Sequence, residues 1–306
     1  MPVGSVAVTG ASTPIGTRVV ALLRGDHVVT DGVGGDVDVV VHCSPDGVRA
    51  MGNMAPSAVV LLSSATAYGG WANNPVPITE DAPLRPNPGV EEAVQCAEAE
   101  RLLAAWSAAH PGARVAVLRP ATVIAPGTGN WLADALTGRS MLQPAGPEPD
   151  RQFVHIDDVA SAVALAVRAR LDGVFNVAPS GSVAADEARE LGAWHLAVPV
   201  PRRFGPLAAR WGLSPVPPAA LPLVEHPWVI ASDRIQAAGW VPKYTSAEAV
   251  VAGRSPGWWR EMAPGRRQTA SLVAAGVLAS SVVAGVAAVV RRARRRVSPG
   301  GVRRLR

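Results

Sequence analysis

Residues 5–16 read SVAVTGASTPIG, and the order of residue types in these twelve positions decides the fold class. Ser5–Thr9 is an apolar run of strand length, and Ile15–Leu23, just beyond it, carries apolar residues at helical spacing. Between them, Thr9-Gly10-Ala11-Ser12-Thr13-Pro14-Ile15-Gly16 makes a tight strand-to-helix turn. The glycines allow close backbone approach, and Pro14 suits a first helical turn, where its missing N–H costs nothing. A turn of this kind aims free N–H groups and the positive end of a helix dipole at an anion. Gly10, Ser12, Thr13, Ile15 and Gly16 are therefore expected to cradle a pyrophosphate.

The same alternation continues outward. His27–Asp31, Val37–Cys43, Ala58–Ser63, Arg114–Leu118 and Val174–Val177 are short runs rich in Val and Leu, with helical stretches at Val90–His110 and Ile156–Ala169. Near-continuous apolar runs suit parallel strands covered on both faces, and their alternation with helices implies right-handed crossovers. The expected fold is α/β, a Rossmann doubly wound parallel sheet over residues 1–178. A small lobe with many prolines follows over 179–263, then a C-terminal hydrophobic helix and Arg-rich tail over 264–306. Asp31 closes the second strand, 21 residues after Gly10. A carboxylate there accepts hydrogen bonds from a ribose 2′-OH and repels a 2′-phosphate, which favours NAD over NADP as the cofactor.

Composition narrows the partners. The net charge of +5 becomes −3 once the eight arginines between Arg291 and Arg306 are set aside. The folded body is mildly acidic, so nucleic acid is not an expected partner. Cys43 and Cys96 are the only cysteines, without metal-ligand spacing, so no metal site is expected and a reducing cytoplasm fits. The start MPVGSVAVTG does not read as a signal peptide.

Seven stretches together resemble the extended short-chain dehydrogenase/reductases, the NAD-dependent epimerase/dehydratase family. TGASTPIG (9–16) is similar to its glycine turn, DVDVVVHCS (36–44) to its third strand, and LLSSATAYGG (61–70) to its serine motif. LRPATVIAPG (118–127), RQFVHIDDVASAVALAV (151–167), GVFNVAP (173–179) and AGWVPKYTSAEAV (238–250) match further blocks, in order, over about residues 3–252. The resemblance implies a bound dinucleotide and places Ser64 where family members hold the substrate oxygen. It places Arg151 where nucleotide-sugar members contact substrate phosphate; the alternative for Arg151 is a surface ion pair with Asp157 or Asp158. His155 reads as structural.

This sequence also departs from the family. Thr13 replaces the second glycine of the turn, Ala125 replaces the glycine of a Pro-Gly motif, and Ser44–Pro56 is too short for the helix usual there. The family's proton-carrying tyrosine, with a lysine four residues on, is missing. Tyr68 and Tyr244 are the only tyrosines, and the fourth residues after them are Ala72 and Glu248; the sole lysine is Lys243. Registered on Glu100-Arg101-Leu102-Leu103, the helix puts Glu92 at the tyrosine position and Cys96 at the lysine position. Two readings stand. Either Glu92 is a substitute acid or base beside Ser64, or it is one of four acids on an ordinary helix with Cys96 packed beneath it.

Residues 269–290, TASLVAAGVLASSVVAGVAAVV, carry no charge and precede RRARRR. As a helix they would span about 33 Å, close to a bilayer's hydrocarbon core. This tail is expected to meet anionic membrane lipid and hold the body at the cytoplasmic face of the cell membrane. One span cannot put both the body and the arginines in the cytoplasm, so lying at the interface, entering shallowly and crossing all stay open. Two classes of function follow: an atypical epimerase/dehydratase acting on a nucleotide-sugar, or a non-catalytic dinucleotide-binding protein tethered at the membrane.

Overall fold

Ser5–Thr9 forms the strand β1, and α1 (Pro14–Leu23) returns the chain to β2 (Val28–Asp31). The next strand, β3 (Val39–His42), pairs with β1 on the side away from β2. Beyond it lie β4 (Ala58–Leu62) and, after the long helix α2 (Glu91–Ala109), β5 (Arg114–Pro120). This computed structural model describes residues 4–32, 37–52, 54–126, 130–137, 142–144, 148–192, 198–200 and 216–253.

Four shorter strands interleave with the remaining helices. They are β6 (Thr122–Ile124), β7 (Leu142–Pro144), β8 (Phe153–His155) and β9 (Gly173–Val177), with α3 (Trp131–Leu136) after β6 and α4 (Ile156–Arg168) after β8. The six-stranded main sheet runs β2-β1-β3-β4-β5-β9, and every pair in it is parallel. The sheet is a parallel α/β Rossmann-like one. Only residues 32–38 join β2 to β3, too few for a helix and a further strand, so the left half holds two strands and β2 is an edge. Its exposure fits an edge, with Val28 59% accessible.

Strand alternation sends successive side chains to opposite faces. On β4, Val60 and Leu62 join α1 and α4 in the main core, while Val59 and Leu61 face α2 with Val48, Met51, Ala99 and Leu103. α4 packs closely because alanines 160, 162, 164 and 166 are buried and let it approach both α1 and the sheet. The short link at Ser44–Pro56 holds only a 3-10 turn, Pro45–Met51, in line with its length.

Beyond β9 the described elements are α5 (Ala185–Gly192), β10 (Val198–Val200), α6 (Leu221–Glu225), α7 (Asp233–Ala237) and α8 (Ser246–Ala252). β6 pairs β8, and β10 pairs β7, each in parallel. Gln152 ties this part to the sheet side: its amide accepts from Ile230 N at 3.0 Å and donates to the carbonyls of Ile230 and Pro179 at 3.2 Å. The described residues all fall within one compact unit, Met1–Ser255. The expected hydrophobic helix at 269–290 and the arginines after it lie outside the described residues. Among the described residues no helix is long and apolar enough to cross a membrane.

Candidate functional site

The sheet order reverses between β1 and β3, and in open α/β sheets ligands bind outside the carboxyl ends of the strands at such a point. The turn Gly10–Gly16 stands there. Gly10 has φ +72°, and a Cβ on Gly16 would lie 2.0 Å from the Gly10 carbonyl oxygen, so only glycine fits at position 16. Thr13 is the N-cap of α1: its hydroxyl accepts from Gly16 N at 3.0 Å and donates to Gly10 O at 2.7 Å. The protein thus satisfies one helix N-terminal donor by itself. The Ile15 N–H, in the first turn of α1, has no backbone partner among the described residues. Ser12 and Asp31 are both exposed, Asp31 at the end of β2 in register with Val8.

A buried pair that the sequence reading missed locks this switch point. Thr9 Oγ1 and His42 Nδ1, at the ends of β1 and β3, are 2.9 Å apart. Gly47 lies over them, where a Cβ would come 2.3 Å from Thr9 Oγ1 and 2.4 Å from His42 Nδ1. Burial pushes the His42 imidazole down to about 4, so it is neutral at pH 7. The signal in the sequence was a histidine ending an otherwise apolar strand, with glycine five residues on.

On the far side of the crevice, Ser64 caps the 3-10 turn Ala65–Tyr68. Its hydroxyl oxygen accepts from Thr66 N at 3.2 Å and from Thr66 Oγ1 at 2.9 Å, which leaves its own proton free to donate. Glu92 stands in the first turn of α2. It is exposed, and desolvation by surrounding protein raises its carboxyl above the usual range. Cys96, one turn on, is 2% exposed against Ser63, and burial pushes its thiol up to about 12, with Glu92 adding to the effect. It is an inert packed thiol.

The Tyr68 hydroxyl is not free for proton transfer. Tyr68 Oη donates to Asn176 Oδ1 at 2.8 Å and accepts from Arg119 Nη1 at 2.7 Å, and burial raises its phenol further. Tyr244 packs on His155 at 4.3 Å, and the His155 ring caps α4 by accepting from Asp157 N, a structural role as expected. Arg119 grips Glu100 through Nη2 at 2.6 Å and Nε at 3.1 Å, while Ser63 Oγ donates to Glu100 at 2.5 Å. A cleft of about 640 Å³ between α2 and β9 has this pair at its floor, and the pair's charges are spent on each other.

Arg151 is not paired as the sequence suggested. Asp157 pairs with Arg18 at 2.7 Å, and Asp158 accepts from the backbone N–H groups of Lys243 and Tyr244. Arg151 is instead buried, its Nη2 2.9 Å from Glu148 Oε2, and Glu148 Oε1 is 2.8 Å from Arg189. Sequence spacing could have shown Glu148, three residues upstream. Among the described residues no group of His, Cys, Asp and Glu has metal-ligand geometry.

Residues 46–178 match the family model described as the NAD dependent epimerase/dehydratase family. A 3-diazoavenalumate denitrifying reductase from a Streptomyces species is 33% identical over 153 residues, covering 45% of this chain and 48% of that protein. The chain spans about half the length of the curated relatives it matches. Among solved structures, UDP-glucose 4-epimerase of Thermus thermophilus, in complex with NAD, aligns at TM-score 0.60 and 19% identity, over 81% of this chain and 97% of that one. UDP-N-acetylglucosamine 4-epimerase of Methanobrevibacter ruminantium aligns at TM-score 0.60 and 18% identity, over 83% and 97%. These structural likenesses establish the fold.

The switch-point histidine makes stability depend on pH. Its folded value of about 4 lies below the ordinary 6.5, so the unfolded chain binds the extra proton between those values. Stability is full above pH 6.5 and declines as pH falls toward 4, by up to about 3 kcal/mol. Urea unfolding at pH 7 and pH 5 should show this slope in the parent and a shallower one in His42→Asn. Equal slopes would remove His42 as its source.

Proposed function

We propose that the chain, whose residues 46–178 match the model of the NAD dependent epimerase/dehydratase family, binds NAD(H) in the crevice between β1 and β3 and lacks that family's Tyr-Lys proton chemistry. The observation that carries this reading is the pairing of an intact strand-turn-helix cradle with the absence of any Y-x-x-x-K in the sequence. The residues present fit the group: Gly16 must be glycine, and the Ile15 N–H at the start of α1 has no backbone partner among the described residues. When bound, a nicotinamide supplies a two-electron hydride acceptor or donor. The solved Thermus thermophilus epimerase of this fold holds NAD, which supports the choice. Thr13 spends one cradle donor on its own helix cap, so the dinucleotide receives one N–H fewer.

Asp31, exposed at the end of β2, favours a 2′-OH over a 2′-phosphate. Calorimetric titration should find NADH binding at least about tenfold tighter than NADPH, roughly 1.4 kcal/mol. Asp31→Ala should weaken NADH and narrow that gap. Equal affinities in the parent protein would remove Asp31 from the site.

A second reading, in which the chain is active, is favoured by the raised Glu92 carboxyl and the free proton on Ser64. It also draws on the Streptomyces relative, which is a reductase. Here Ser64 donates to a substrate oxygen while protonated Glu92 is the general acid. Activity would fall as pH rises through the raised value of Glu92, and Glu92→Gln would abolish both turnover and that limb of the pH profile. Hydride transfer faster than about 1 per second in Glu92→Gln would exclude it.

The tail at 269–306 attaches the chain to anionic lipid at the cytoplasmic face of the cell membrane. An uncharged 22-residue stretch followed directly by RRARRR supports this, since each basic residue near such a surface contributes about 1 kcal/mol. Full-length protein should pellet with vesicles containing phosphatidylserine, and a chain ending at residue 265 should not, with dinucleotide binding unchanged. Failure of the full chain to pellet in low salt would refute the attachment.

A further inference from the structure

Four backbone positions open α1, Thr13 to Gly16, and the helix itself supplies no acceptor for their N–H groups. In this chain the turn takes up most of them. Thr13 N donates to Gly10 O at 3.0 Å, Pro14 has no N–H, and Gly16 N donates to the Thr13 hydroxyl at 3.0 Å. The Ile15 N–H is the remaining one, without a backbone partner among the described residues. The Thr13 hydroxyl also donates to Gly10 O at 2.7 Å, so this side chain bridges the turn and the helix start. The other end of the crevice is open. β2 is the outer strand of the main sheet, and Val28, Thr30 and Asp31 are all exposed. A Cβ built on Gly32, next in the chain, would meet no atom within 4 Å among the described residues. Across the switch point, the link from β3 to β4 is a 3-10 turn, Pro45–Met51, rather than a helix that could lie over a ligand.

A pyrophosphate is held by the N–H donors that reach it, and each hydrogen bond to a charged group is worth about tenfold or more in affinity. A helix start with one donor left of four, beside an edge strand without a wall, grips such a ligand weakly. We infer, on the premise that the dinucleotide site is as proposed, that the dinucleotide is a diffusible ligand of this chain, released within a second of binding. Thr13 sets that exchange by keeping the Gly16 N–H on its own hydroxyl. It acts through Gly16 and is a positioning residue. The exchange bears on the class of reaction. A hydride handed back to the same substrate leaves the nicotinamide as it began, so isomerisation is served by a captive dinucleotide. An exchanging one suits net oxidation or reduction, in which the nicotinamide leaves in its other redox state. Weak grip therefore sets this chain apart from isomerisation, whether it turns over or only binds.

The test is NADH binding by the purified full chain, read by calorimetry and by stopped-flow fluorescence during displacement with excess NAD. After desalting, the parent should carry almost no dinucleotide by ultraviolet absorbance. Its Kd should lie above about 10 µM, which at an association rate constant of about 10⁶ M⁻¹s⁻¹ means release at about 10 per second or faster. Thr13→Gly frees the Gly16 N–H, and glycine caps a helix about as well as threonine. That variant should bind NADH about tenfold more tightly and release it more slowly. Thr13→Ser keeps a capping hydroxyl and should show the parent's weak grip. A parent that retains a full equivalent of dinucleotide through desalting overturns the inference, and so does a folded Thr13→Gly no tighter than the parent. Should Thr13→Gly fail to fold, the parent decides: release slower than about 1 per second overturns the exchange. Tight, slow binding of that kind leaves the dinucleotide site standing and removes only the exchange. NADH that binds neither the parent nor Thr13→Gly sinks the site itself, and the inference with it.

Discussion

The ion pair between Glu100 and Arg119 is the constraint on which the packing of α2 against the sheet depends. Both side chains are less than a tenth exposed, and a charge taken that far from water is tolerated only when its partners are complete. Here they nearly are. Arg119 gives Nε and Nη2 to Glu100 and Nη1 to Tyr68 Oη and to Glu80 O, while Glu100 also accepts from Ser63. Tyr68 passes the connection to Asn176 on β9, whose backbone N–H is taken by Glu80. One network thereby fixes α2 against β4, β5 and β9, and with α2 it fixes where Glu92 stands relative to Ser64. Removing either charge would strand the other in the interior, at a cost of about 3–5 kcal/mol.

The dinucleotide side rests on steric rather than ionic constraint. Gly16 against Gly10 and Gly47 against the Thr9–His42 pair are places where a single Cβ cannot enter. They draw the ends of β1 and β3 and the start of α1 together, so the crevice is set by close backbone approach. The edge strand β2 has no such support on its outer side, and Asp31 stands there in the open.

Much of this was legible in the sequence because parallel strands buried on both faces leave plain apolar runs. β1, β4, β5 and β9, and helices α1, α2 and α4, lie within a few residues of where their patterns put them. What no pattern announced was which side of β1 would receive β3, since adjacency in a sheet is a property of the tertiary fold. The site was half legible. Gly10, Gly16 and Thr13 follow from a local turn, whereas Arg151, read as a phosphate contact with a surface ion pair to Asp157 or Asp158 as the alternative, is buried against Glu148 upstream. Glu100 served only to register a helix, because its partner is 19 residues away on a strand. Spacing within one element is visible in sequence; a pair that closes across elements is not.

The two halves of the site differ in how much polar capacity they leave for a ligand. At the turn, the Ile15 N–H and the α1 dipole remain available even after Thr13 has capped the helix. Around α2 and beyond β7, nearly every strong group is turned inward: Tyr68 onto Asn176, Arg119 onto Glu100, Cys96 into the core, Glu148 onto two arginines. A side chain held by internal partners lends stability and cannot also lend chemistry without breaking them. What is left is narrow: a serine proton and the exposed carboxyl of Glu92. Such a set holds no tyrosine with a lysine four residues on, the pair through which the epimerase/dehydratase family moves a proton.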